Sequence, residues 1–242
     1  MKPKAFDYQR PGSLEEATAI LAREGEDARV LAGGMSLVPM MNFRLVEPKV
    51  LMDITHIPDL AYAKVVDGSI EVGAAMTQAR TMAWPELPQH SPLLAKAFPN
   101  VGHFQTRSRG TVCGSIAHSD PSSELPLCLA TLGGSVVLRS KRGSRTVSAG
   151  DFQIGMLTTS REPDELVAAV RFPIAAAGTG YAFNEVTQRH GDFAICAIAA
   201  AVSGNTIRVG VGGVAEMPTV REWSGLDDND LDEALNQFAW EL

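Results

Sequence analysis

The spacing of apolar positions changes period several times along the chain. Leu14, Ala17, Ile20 and Leu21 share one face at helical spacing, behind Ser13 and Glu16 in capping-box register, and Gly25 marks the stop. Val30 and Leu31 then read as a strand end, Gly33 and Gly34 as a turn, and Ser36 as a candidate N-cap. Pro39 suits a first helical turn, where its missing N–H is no loss, so the pattern predicts a short helix to about Leu45 and a strand from Val50 to Ile54. Past Pro58 the residues alternate, and AKVVDGSIEVGA predicts a hairpin turning at Asp67-Gly68. A helical stretch over 77–98 is interrupted by Pro85, Pro88 and Pro92. LPLCLATLG predicts a helix over 124–132 ending at Gly133, SVVLRSKRGSRTVSAGDF a hairpin turning at Lys141 to Gly143, and DELVAAVRFP a strand closed by Pro173.

The run AAAGTG, residues 175–180, has no bulky side chain and is the expected boundary between a unit over 1–174, subdivided at about 57/58, and a smaller one over 175–242. In the smaller unit GYAFNEVTQR, FAICAIAAAVSG and TIRVGVGGV suggest three antiparallel strands. The acidic tail from Arg221 carries one helical pattern in Leu231, Ala234, Leu235 and Phe238.

Composition narrows the chemistry. With 21 Lys and Arg against 28 Asp and Glu the formal charge is −7, which argues against nucleic-acid binding but leaves room for one anionic cofactor held by backbone N–H groups. Cys113, Cys128 and Cys196 are too few for a disulfide framework or for four ligands to zinc or an iron–sulfur cluster. MKPKAFDYQRPGS has no signal-peptide-like apolar core, and AICAIAAAV is too short to span a bilayer, so no membrane insertion and a cytoplasmic setting are expected.

Two small-residue loops carry the candidate site. AGGMS, residues 32–36, lies between a strand end and a helix start, where free N–H groups attract anions; it holds no Lys or Arg and matches neither GxGxxG nor a P-loop. A bare strand-turn-helix explains it equally well. GTVCGS, residues 110–115, offers hydroxyls at Thr111 and Ser115, and is read either as a ligand wall or as a tight turn feeding the next helix. Asp120, before a proline, fits a turn or N-cap. Met35, Met40 and Met41 read most simply as core packing.

AGGMSLVPMMNFRLVEPKVLMDI and RGTVCGSIAHSDPSSELP together strongly resemble the FAD-binding subunit of molybdenum-containing hydroxylases, the family of the aerobic carbon monoxide dehydrogenase medium subunit and the xanthine dehydrogenase flavin domain. NEVTQRHGDFAICAIAAAV and VGVGGVAEMPT are similar to the family's C-terminal part. The resemblance implies an α+β fold: a two-part FAD-binding domain of the vanillyl-alcohol-oxidase (PCMH) type, then a small C-terminal α+β domain with a three-stranded antiparallel sheet. It implies that Ala32, Gly33, Gly34, Met35 and Ser36 cradle the pyrophosphate and that Thr111, Val112, Cys113, Gly114 and Ser115 line the flavin. Val101 and Glu124, and on looser grounds Val167 and Glu185, complete the cofactor-binding set.

The activity so implied is electron relay, with no catalytic residue and no metal in this chain. A large molybdopterin subunit oxidises the substrate, a small subunit with 2Fe-2S clusters passes single electrons, and FAD here delivers them to an external acceptor, in a dimer of heterotrimers. The alternatives are a self-sufficient flavin oxidase or reductase of the same superfamily and a non-enzymatic nucleotide-binding module. The chain departs from the family at Met35, where Gln or His is common, at Glu185, where some members place Lys, and at Cys113, which replaces a glycine. It also stops soon after VGVGGV, so an abbreviated C-terminal part is expected.

Overall fold

The computed structural model describes residues 1–242. Its first layer is a parallel sheet of β1 (Asp7–Gln9), β2 (Ala28–Leu31) and β3 (Val50–Asp53) in the order β1-β3-β2, with Val50 in register with Asp7 on one side and Ala28 on the other. Parallel strands need crossovers, and α1 (Leu14–Glu24) and α2 (Leu37–Asn42) lie on them. The predicted cap of α1 forms: Glu16 N–H donates to Ser13 Oγ at 3.2 Å, while the Glu16 carboxylate reaches back to Gly12 N–H at 2.7 Å. Helix α2 differs from expectation at both ends. Ser36 makes no side-chain cap bond. The helix stops at Asn42 because Arg44 adopts a left-handed φ of 60°, letting Leu45 N–H close on Met40 O at 2.9 Å.

The second sheet is antiparallel. The hairpin of β4 (Ala63–Val66) and β5 (Ser69–Gly73) turns at Asp67-Gly68, both at positive φ as a type I′ turn requires. Six helices follow: α3 (Gln78–Met82), α4 (Leu87–His90), α5 (Pro92–Ala97), α6 (Phe104–Arg109), α7 (Val112–His118) and α8 (Glu124–Thr131). The chain returns through the predicted hairpin β6 (Ser135–Ser140) and β7 (Gly143–Ser148), a turn of helix α9 (Ala149–Phe152), the small ladder β8 (Gln153–Gly155) with β9 (Thr158–Thr159), and β10 (Leu166–Pro173). The sheet order is β4-β5-β10-β6-β7, and central β10 is buried continuously from Leu166 to Val170. A bulge between Val167 and Ala169 interrupts its pairing with β6.

The third sheet has four strands rather than the three expected: β11 (Gly180–Val186), β12 (Cys196–Ser203), β13 (Thr206–Gly212) and β14 (Thr219–Ser224). The fourth is TVREWS, whose Arg221 and Glu222 gave it the look of a polar tail; charged residues on an edge strand discourage pairing with another chain. The tail helix forms as α10 (Asp228–Trp240), with Phe238 buried against β13 and edge-on to Trp223. Glycines in β13 let this sheet settle on α8, since a Cβ at Gly210 would collide with the Thr131 hydroxyl. Leu125, Leu127, Cys128 and Leu129 of α8 are fully buried, and one apolar cluster runs unbroken from Ala17 through Ala199, so the third sheet shares the core of the second. No helix is long and apolar enough to cross a membrane.

Candidate cofactor site

A cavity of about 920 Å³ lies where the end of β2, the start of α7 and the bulged start of β10 converge. One wall is AGGMS. None of the five N–H groups from Ala32 to Ser36 has an acceptor within the chain, and all five residues border the cavity. Rows of main-chain donors of this kind bind anions without a lysine or arginine. Gly33 is required by a close approach: a Cβ there would strike the Arg109 carbonyl and Gly110 Cα. The two small-residue segments therefore touch directly.

The opposite wall is GTVCGS, and its conformation corrects the sequence reading. Only Gly110 and Thr111 are extended; α7 begins at Val112, with Thr111 as its N-cap accepting from Gly114 N–H at 3.0 Å. The run is neither an open loop nor a turn feeding α8. Gly and Ser weakened its helical signal, and the apolar spacing of Val112, Cys113 and Ile116 was the clue available. Gly110 is tied to a neighbouring element by Gln78 N–H donating to its carbonyl at 2.8 Å. Thr111, Cys113, Gly114 and Ser115 line the cavity, whereas Val112 does not; it points into the core at 1% exposure.

Cys113 has an ordinary helical backbone, is buried, and sets its Sγ 3.3 Å from the Val72 carbonyl. Burial pushes its thiol well above the usual range. Val101 also lines the cavity, its carbonyl and that of Gly102 held by Arg107 at 2.9 and 2.7 Å. Above them the segment 189–193 from the third sheet closes over, with Gly191 against His103 and Arg189 paired to Asp192 at 3.0 Å. Val167 lines the cavity beside the β10 bulge. Met35 and Met40 line it too, so only Met41 of the three methionines is core.

Glu124 opens α8 and faces the cavity at 6% exposure. Asp120 accepts from Ser122 N–H at 2.9 Å and shapes the turn, while Ser123 takes the N-cap position. Burial pushes the Glu124 carboxyl up to about 7, with Glu185 and Asp120 adding to it. Glu185 does not line the cavity; one of its carboxylate oxygens is buried without a partner, and burial raises that group as well. His118 lines the cavity and is lowered by burial.

Among the polar lining residues outside the expected set are Arg29, Gln78 and Arg161. Arg161 donates to the carbonyls of Glu162 and Glu165 at 2.8 Å, and burial and Arg29 both lower it. Nothing in local spacing links them: Arg29 is on β2, Gln78 opens α3 and Arg161 lies between β9 and β10, and the tertiary fold brings them to one cavity. The site thus offers a row of free donors, an apolar flank of Ala32, Val101, Leu166 and Val167, and a volume of about 920 Å³. These features fit FAD.

Comparison with known proteins agrees. Residues 4–175 match the model of the FAD-binding domain in molybdopterin dehydrogenase. Caffeine dehydrogenase subunit beta from a Pseudomonas species is 38% identical over 216 residues, covering 89% of this chain and 73% of that protein. The carbon monoxide dehydrogenase medium chain of Afipia carboxidovorans is 35% identical over 97% of this chain and 86% of its own. Reconstituted CO dehydrogenase from Oligotropha carboxidovorans superposes with a TM-score of 0.92 at 34% identity, over 98% of this chain and 87% of that one. The chain belongs to the family of FAD-binding subunits of molybdenum hydroxylases.

Proposed function

We propose that this chain is the FAD-carrying electron-transfer subunit of a heterotrimeric molybdenum hydroxylase. It takes electrons from 2Fe-2S clusters of a small partner and passes them from FAD to an external acceptor. Substrate oxidation belongs to a large molybdopterin partner, and two heterotrimers assemble as a dimer. The observation that carries this reading is the row of unpaired N–H groups from Ala32 to Ser36 facing Thr111 to Ser115 across one cavity.

In this reading residues 1–174 form the two-part FAD domain of the PCMH type and 175–242 the smaller one; the family match over 4–175 supports that division. The AGGMS amides hold the diphosphate. Thr111, Cys113, Gly114 and Ser115 wall the flavin, with Val101 and Val167 on its flanks. Glu124 faces the same ligand, and Val112 and Glu185 support the wall from behind. FAD supplies the two-electron to one-electron exchange, and the protein positions it and excludes solvent. The complex purified with its two partners tests the proposal: one FAD in this chain, reduced on addition of the large subunit's substrate, is expected. Flavin absent from this chain, or turnover of an organic donor by this chain alone, contradicts it.

A further inference from the structure

We infer that Glu124 meets the bound flavin dinucleotide as a neutral carboxyl, so that the site holds its cofactor firmly below neutral pH and loosens its grip as the solution becomes alkaline. The inference rests on the FAD reading of the cavity. Glu124 is nine-tenths buried, faces the cavity, and receives no hydrogen bond from another residue. No arginine or lysine compensates it. The acidic and titratable groups around it are Glu185 from β11, Asp120 from the preceding turn and Cys128 one turn along α8. His118 from α7 shares the cavity wall, and His190 acts on Glu185 from beyond.

Two carboxyls from different elements, one with a buried oxygen lacking any partner, disfavour simultaneous ionisation. A dinucleotide diphosphate brings two further negative charges into the same enclosure. An ionised Glu124 would repel it in a low-dielectric space, whereas a protonated one offers it an O–H donor. Burial setting the carboxyl near 7 places the change close to neutral pH.

The test is FAD affinity of the full chain, followed by flavin fluorescence between about pH 5.5 and 8.5. The expected Kd is flat at the acid end and rises with pH, approaching roughly tenfold per unit above about pH 7 for one linked proton. Glu124→Gln, which stays neutral, should abolish the slope. Glu185→Gln, which removes one neighbouring repulsion, should ease ionisation of Glu124 and shift the onset of the slope to lower pH. His118 titrates below the usual histidine range, so it cannot produce an alkaline limb. An infrared difference spectrum across the same range should show a protonated carboxyl band lost in the wild type and missing in Glu124→Gln. A wild-type Kd independent of pH, or a slope retained in Glu124→Gln, overturns the inference while leaving the FAD reading intact. Failure to bind FAD at every pH overturns both.

Discussion

At the residue scale Cys113 is a packing residue. Its backbone is helical, so replacing a family glycine here strains nothing, and its sulfur faces Val72 rather than open space. Cys113→Gly should therefore cost about 1–2 kcal/mol in urea unfolding, through helix propensity and lost burial. Gly33 is the opposite case. Gly33→Ala drives a methyl into the Arg109 carbonyl and parts the two walls, so FAD binding measured by fluorescence titration should weaken roughly tenfold or more. Glu124 gives a third expectation. Its carboxyl is raised by burial, so its favourable protonated state is complete below the unfolded value of about 4.3 and is lost as pH rises through about 7. Glu124→Gln should match the wild type near pH 4 and exceed it by on the order of 2 kcal/mol near pH 8, read from unfolding curves at each pH. The special chemistry of Gly33 and Cys113 was visible in the sequence as composition, but the direction each points was not, because contacts with Arg109 and Val72, far along the chain, decide it.

At the element scale the second sheet is fastened by a buried carboxylate. Glu71 on β5 accepts from Tyr62 at 2.7 Å and from Arg171 of β10 at 2.7 Å. Burial opposes its ionisation, yet Tyr62 and Arg171 together hold it below the ordinary carboxylate range. A depressed group stabilises above its unfolded value and ceases to as pH falls through its folded one. Glu71→Gln should thus lower stability by about 3 kcal/mol at pH 7, with the gap closing below about pH 4. Elements with strong local signals were legible: the α1 cap, the Asp67-Gly68 hairpin and the proline-broken helices over 77–98 all form. The start of α7 and strand β14 were not. The start of α7 has weak intrinsic preference and is fixed by residues 76–78, while the charges of β14 hid a strand that forms by pairing with β13.

At the scale of the whole molecule three sheets share one core, and the cavity draws on the first sheet, the second sheet and the segment after β11. Of the fourteen cofactor residues expected from the sequence, the cavity gathers all but Val112 and Glu185; ten of the twelve lie in two contiguous motifs that the fold brings together. Arg29, Gln78 and Arg161 lay outside any motif and needed the tertiary structure to be seen. The most direct test of the account is the flavin content of the purified wild-type chain beside that of Gly33→Ala. One FAD per wild-type chain, released on denaturation, with most of it missing from the variant, is the predicted result. A folded wild-type chain that takes up no FAD, even when supplied in excess, would contradict it.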